Sequence, residues 1–376
     1  MAKKKLLFFS IFIIIILVFV TIYNIIYKNN NIYLNNKDAA PNFISIMLEE
    51  TAGSGEYKVS KSNKWPSKGY VFNKEMSYCN NGSTLAWNKN DNSVSVNINK
   101  TDKCYVYFDI YVPTLAEYVK SQYTGTQGNN NIYHHDGTLE NGIDDGSYRY
   151  AGPSDTTNNY VCFGSDANPC PDANLFRIIG VFGDQTKVIR AKSVGNKQWH
   201  TSADNTWSIS SLNTYLNGEY LTSLGTIAEK IATTTWKVGG GSWANIGTSV
   251  PKTAYQYEVG SSASTTTYDA KIGLMYVTDY YYSASPSAWT LMGYNSDATK
   301  DYRAAKTTNW LYLGSPEWTL SRESDITTYA FYVYSTGAVN YNYVTYSRGV
   351  RPSFNLLSST TYVSGSGSMS DPVRIN

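Results

Sequence analysis

Between Ser321 and Leu356 the chain sets tyrosine, asparagine, serine and threonine between regularly placed apolar residues. The stretch closes on a stiff Arg348-Gly-Val-Arg-Pro352 segment. Alternation with a period of two fits strands rather than helices. In Ala330-Phe-Tyr-Val-Tyr334 it predicts Phe331 and Val333 pointing inward and Tyr332 and Tyr334 outward. Tyr341, Asn342, Tyr343, Thr345 and Tyr346 follow the Ser335-Thr-Gly337 turn. Tyrosine gives a large amphipathic contact with few torsions to freeze, and serine and asparagine adapt their hydrogen bonds. The expected ligand-binding surface is therefore Tyr329, Tyr332, Tyr334, Asn340, Tyr341, Asn342, Tyr343 and Tyr346. The competing account of the 34 tyrosines against 12 phenylalanines is an AT-rich genome. Codon bias does not explain why they cluster beside serine and asparagine near residue 340.

Charge excludes one class of partner. With 31 basic and 29 acidic residues and a charged fraction of 16%, the chain lacks the clustered basic footprint of a nucleic-acid protein. Lys3-Lys4-Lys5 precedes an uncharged run, Leu6 to Ile26, long enough as a helix to span a ~30 Å hydrocarbon core. Tyr23 and Tyr27 sit where an interfacial aromatic belt would lie, and the lysine excess places the N-terminus inside. The expectation is a cytoplasmic tip over 1–5 and an uncleaved signal anchor over 6–27. This gives a single-pass cell-membrane protein with its C-terminal part extracellular. A cleaved signal peptide would have a shorter apolar core and a nearby small-residue cleavage site.

Residues 28–42 read as a polar, Asn-rich linker. From 43 to 112, strand-like runs alternate with turns, as in Thr84-Leu-Ala-Trp87, Asn88-Lys-Asn-Asp-Asn92 and Ser93-Val-Ser-Val-Asn-Ile98. Cys79 and Cys104 bracket this region with Trp87 between them, the pattern of a small disulfide-pinned β-sandwich. The other two cysteines are Cys162 and Cys170, and four cysteines in an exported chain suggest two disulfides. Three connectivities are possible; local pairing is the simplest. Closing the 79–104 loop is worth about 3 kcal/mol in the chain-entropy model.

From Pro113 the pattern changes. A helix starts over Pro113–Lys120, and a hairpin joins Asn174–Phe182 to Thr186–Ala191 through Gly183-Asp-Gln185. A helix over Trp207–Asn217 has Ser208 as its expected N-cap, and a short helix is expected over Ile227–Thr233. Strands are expected over Ile272–Val277, Trp310–Tyr312, Trp318–Leu320, Ala330–Tyr334, Gly337–Tyr341 and Gly349–Phe354.

The Trp207-Ser-x-Ser-Ser-Leu-Asn-x-Tyr-Leu-Asn217 segment, the Trp318-Thr-Leu-Ser-Arg322 strand and the closing Gly349-Val-Arg-Pro352 together resemble a family. Its members are uncharacterised exported domains of Gram-positive gut bacteria. That family is similar to the C-type-lectin-like fold, which also carries formylglycine-generating-enzyme-like domains and the variable proteins of diversity-generating retroelements. The resemblance covers residues 113–376. It implies a C-type-lectin-like ligand-binding domain whose last part holds the ligand contacts, as the variable target of such a retroelement. It leaves activity open, because a fold does not fix a function.

The remaining candidates carry little chemistry. Arg348 and Arg351 are expected to pair internally rather than to serve as carboxylate forks. His134, His135, Asp136, Asn141, Asp144 and Asp145 lack the spacing of a calcium loop. No G-x-S-x-G, H-E-x-x-H or P-loop is present. No cysteine follows Cys170, against formylglycine-generating chemistry. Trp207 is expected in the core; Trp199, Trp243 and Trp289 remain candidates for stacking on sugars.

The expected fold class is thus α+β: an N-terminal transmembrane helix, a small β-sandwich, then a C-type-lectin-like mixed α/β domain. The expected function is adhesion to a protein or glycan ligand, with no enzyme activity, metal or cofactor and no nucleic-acid partner. The alternatives are a structural envelope or pilus-like subunit, and an envelope hydrolase using His200.

Overall fold

A computed structural model describes residues 43–60, 66, 69–88, 93–97 and 101–376. The chain divides into two compact units, the first ending at Val112 and the second spanning Pro113–Asn376.

In the smaller unit, β1 (Phe43–Glu49), β2 (Tyr57–Val59), β3 (Tyr70–Cys79) and β6 (Lys103–Ile110) form one mixed sheet ordered β2-β1-β6-β3. β4 (Thr84–Asn88) and β5 (Ser93–Asn97) pair only with each other. Alternation along β6 buries Cys104, Val106 and Phe108 on one face. That face meets Ile46 and is covered by Leu85, Trp87, Val94 and Val96 of the β4–β5 hairpin. The result is a four-stranded sheet under a two-stranded hairpin. Cys79 and Cys104 are directly opposed in the β3–β6 register and form a disulfide.

The larger unit holds two main sheets. The first contains β7 (Ile132–His134), β8 (Tyr148–Tyr150), β9 (Tyr160–Cys162), β10 (Leu175–Phe182), β11 (Gln185–Arg190), β19 (Ser353–Asn355), β20 (Tyr362–Ser364) and β21 (Val373–Ile375). Its main path is β19-β11-β10-β9-β21-β20, with β8 pairing β10 and β7 pairing β8. The second is ordered β12-β18-β15-β16-β17, from β12 (Asn196–Gln198), β15 (Glu317–Arg322), β16 (Tyr329–Val333), β17 (Val339–Tyr343) and β18 (Ser347–Gly349). β13 (Thr234–Lys237) and β14 (Thr267–Ala270) make a separate hairpin. Glycine is required at Gly180, where β10 bulges, because a Cβ there would sit 2.3 Å from the Tyr148 carbonyl of β8. Cys162 and Cys170 form the second disulfide, so the local pairing is the observed one.

The core is aromatic and polar at once. Trp199, Trp207, Trp236, Trp289, Trp310 and Trp318 are all buried. Five of their indole N–H groups donate to backbone carbonyls, from Trp199 to Thr319, Trp236 to Ala270, Trp289 to Ala284, Trp310 to Tyr150 and Trp318 to Lys197. Every residue of the helix Val277–Tyr282 is buried, and Tyr280 and Tyr281 donate to the Gly337 and Ile246 carbonyls. Buried tyrosine and tryptophan need such partners; here four of the five indoles bond strand carbonyls, and Tyr280 reaches the turn at Gly337. Beside them lies an ion pair in which Arg351 Nε and Nη2 each donate at 2.8 Å to the Glu317 carboxylate.

Several expectations are corrected. The α+β balance gives way to a mostly β structure, with 35% strand and 19% helix among the described residues. The longest continuous helical stretch among the described residues runs from Ser211 to Ser223 with a π-type turn at Leu216–Tyr220, and the longest regular α-helix, Pro251–Glu258, has eight residues. The transmembrane anchor expected over 6–27 falls outside the described residues. No helix among the described residues is long and apolar enough to cross a membrane, so the architecture built on that anchor is withdrawn. In the smaller unit the disulfide joins neighbouring strands of one sheet rather than the two layers. The strand expected over Ile272–Val277 runs instead into a helix, and Trp310–Tyr312 forms a turn. Ser210, not Ser208, caps the Ser211–Tyr215 helix by accepting from Asn213 N–H.

Removing one partner of the Arg351–Glu317 pair leaves the other charge buried alone. Glu317→Ala should therefore destabilise the protein by about 3–5 kcal/mol, read from urea unfolding.

Candidate functional site

The residues of the expected tyrosine surface differ in exposure. β17 is an edge strand, paired on one side to β16. Tyr334, Tyr343 and Tyr346 are exposed, while Tyr329, Asn340, Tyr341 and Asn342 are half-buried. The rings form a ladder: Tyr329 lies 5.1 Å from Tyr341 and 4.6 Å from Tyr343, and Tyr343 lies 5.7 Å from Tyr346. Tyr332 does not join it. Only 4% exposed, it packs on Trp318 and lies under the Arg348 guanidinium, 5.0 Å away. Strand alternation fails there because both faces of β16 are covered.

The edge of β17 is also closed to further strands. Val339 N–H donates to the Gly293 carbonyl, and Tyr341 and Tyr343 N–H donate to the side chains of Asn340 and Asn342. Occupied donors remove the template that an open edge offers.

The other stacking candidates are mostly core. Trp199 and Trp289 are buried, and Trp243 is half-buried against Tyr341, 4.9 Å away. His200 is 8% exposed; its Nδ1 accepts the Ser211 N–H, and among the described residues no carboxylate bonds to it. Asp136 is occupied by Thr138, and Asp145 by Ser147 and Arg149. The grouping of metal-ligand type found among the described residues is Cys79, Asp102 and Cys104, and its sulfurs are joined in a disulfide.

Sequence reasoning missed the concave site. A cleft of about 210 Å³ opens in the larger unit, lined by β8, the end of β10, β11, β13 and the start of the helix Val277–Tyr282. Its walls are the rings of Phe182, Trp236, Tyr255 and Tyr276, with Val259. Its floor is charged. Lys187 Nζ lies 2.5 Å from Asp279 Oδ2, and Arg149 Nη2 lies 2.8 Å from Asp145 Oδ2. Arg149 Nη1 stands 3.6 Å from Asp279 Oδ1, which links the two pairs. The Lys187 ammonium lies 4.6 Å from the Tyr276 ring centre, and the Arg149 guanidinium 4.5 Å from that of Phe182. Tyr255 donates its hydroxyl hydrogen to Asp145 Oδ2, and Asn355 closes one end by donating to Thr234.

Burial and charge oppose each other here. Burial pushes the Lys187 pKa down, against the pull of Asp279. Burial also works against the Arg149 charge, but Asp145 and Asp279 outweigh it and hold the guanidinium above its ordinary value. Burial favours neutral Asp145, yet Arg149 and Ser147 hold it well below the usual carboxylate range. Tyr255 is pushed up to about 12 by burial and by Asp145. Behind the floor, burial raises the Glu258 pKa although Ser321, Thr278 and two backbone N–H groups bond to it. Clustered perturbed groups in a cleft mark a functional-site candidate. The sequence carried no clear signal for this cleft: Lys187 sits in β11 among Gln185, Thr186 and Arg190 as well as the apolar Val188 and Ile189.

Residues 183–358 match the model of a family described as a domain of unknown function (DUF6273). That range includes Lys187, Lys237 and Asp279 but starts after Asp145 and Arg149. No curated protein and no solved structure matches the chain.

Two outcomes follow. Tyr332→Ala should destabilise by about 3 kcal/mol, whereas Tyr343→Ala should stay within about 0.5 kcal/mol, both by urea unfolding. His135 is fully buried, and burial, helped by Arg149, lowers its pKa from 6.5 to about 3. As pH falls the unfolded chain binds this proton first, so stability declines from about pH 6.5 toward about pH 3. His135→Phe should flatten that decline, measured as unfolding midpoints at about pH 4 and about pH 7.

Proposed function

We propose that the protein is an exported binding protein whose larger unit holds a small organic ligand in the aromatic-walled cleft. The observation that carries this is the meeting of Lys187 and Arg149 on Asp279 at the floor of an open concavity. Ligand sites are typically concave and mostly apolar, with a few convergent polar groups. A cavity of about 150 Å³ already holds benzene, so this cleft suits one six-membered ring with a substituent. The two disulfides support an oxidising compartment. Binding, not bond-breaking, is the reading, because both floor carboxylates are already engaged, Asp145 by Ser147, Arg149 and Tyr255, and Asp279 by Lys187 and the Tyr276 N–H.

A second reading is adhesion through Tyr329, Tyr341, Tyr343 and Tyr346. The exposed ring ladder favours it. Occupied edge donors on β17 speak against assembly by strand addition.

A thermal-shift screen with sugars, sugar acids, aromatic acids and amino acids tests the first reading. A ligand at about 100 times its Kd stabilises by about 2.7 kcal/mol, enough for a clear rise in Tm. Val259→Trp, which fills the cleft, should abolish that rise while leaving the fold intact. A rise untouched by Val259→Trp would place the ligand elsewhere.

A further inference from the structure

We infer that the cleft recognises a single carboxylate carried on a six-membered ring. This inference rests on the cleft being the ligand site.

The first step is the charge inventory. The cleft lining holds three cations, Arg149, Lys187 and Lys237, against two anions, Asp145 and Asp279. Lys237 is half-buried and has no ion-pair partner among the described residues. Glu258 acts on Lys187 from behind the lining, its oxygens bonded to Ser321 and to the Val277 and Thr278 backbone N–H groups, so among the lining residues alone one positive charge stands in excess beside an aromatic-walled space. A monoanion completes the set. A dianion such as a phosphate ester would overshoot, and it would crowd the two carboxylates already on the floor.

The second step is the donor inventory. Lys187 has three N–H donors, and one goes to Asp279. Arg149 Nε bonds Ser147 and Nη2 bonds Asp145, while Nη1 makes no hydrogen bond to the described residues. Donors left over in a partly dry site favour an acceptor that is itself charged, because charge-assisted bonds are about twice as strong as neutral ones. The floor carboxylates are already engaged, Asp145 by Ser147, Arg149 and Tyr255, and Asp279 by Lys187 and the Tyr276 N–H. They leave little for a cationic ligand.

The third step is shape. Phe182, Trp236, Tyr255 and Tyr276 offer apolar area around a space sized for one ring. Either a sugar acid or an aromatic acid presents a carboxylate on such a ring. The shared chemistry is the carboxylate with an apolar ring face, and the two sources are separated by experiment.

The test is calorimetric titration of the whole chain with glucuronate, benzoate and glucose. Glucuronate or benzoate should bind, the tighter of the two identifying the source, and glucose should bind at least about tenfold more weakly. Lys237→Met should weaken the carboxylate about tenfold and change glucose less than about twofold. Added salt should weaken the carboxylate alone. Glucose binding as tightly as glucuronate, with no effect of Lys237→Met, overturns the carboxylate and leaves the cleft as a neutral-sugar site. Silence of all three probes to about 10 mM also overturns it, and the Val259→Trp screen then decides separately whether the cleft binds anything.

Discussion

Asp279 is the carboxylate on which the larger unit turns. It accepts from Lys187 of β11 and from the Tyr276 N–H, and it lies beside Arg149 of β8. Those segments are far apart in sequence, so one buried side chain helps fix how the first sheet meets the helix Val277–Tyr282. Buried ion pairs contribute little net stability, since desolvation offsets most of the attraction. An apolar floor would hold the fold as well. What the charged floor adds is two cations and two carboxylates in the lining of an open cleft, and that makes the cleft chemically different from the rest of the core.

The same logic of paired polar atoms runs through the interior. Arg351 and Glu317 form a bidentate pair, and Arg177 is held between the rings of Tyr160 and Trp310 while donating to Asn159 and Ser154. Phenol groups reach backbone carbonyls of turns, from Tyr280 to Gly337, Tyr282 to Asn141 and Tyr312 to Ser335, while four of the five indole bonds go to strand carbonyls. A fold with short helices and many connections needs such anchors, because each buried loop carbonyl wants a donor. Tyrosine abundance thus has a structural role that phenylalanine cannot fill.

That role explains what the sequence revealed and what it hid. The hairpin of β10 and β11, the strands β15 to β17 and the helix Leu115–Ser121 are local, and periodicity or turn chemistry identifies each. Local disulfide pairing was the simplest of the three connectivities the sequence allowed, and the structure shows it. Tyr332 was misplaced because alternation distinguishes two faces but does not say whether both are covered. The run at Val277–Tyr282 hid its helix because a fully buried helix shows no polar face. The cleft could not be read at all: its residues span positions 145 to 355 and meet only after both strands and helix are in place.

The most direct test is the indole N–H resonance of Trp236 among the nine tryptophans, followed by ¹⁵N NMR during titration with glucuronate and with benzoate. Trp236 forms a wall of the cleft, whereas Trp310 and Trp289 lie in the core outside it. The account predicts that the Trp236 signal moves and saturates with one of these ligands while those of Trp310 and Trp289 stay in place. A Trp236 signal that stays fixed at saturating ligand would contradict it.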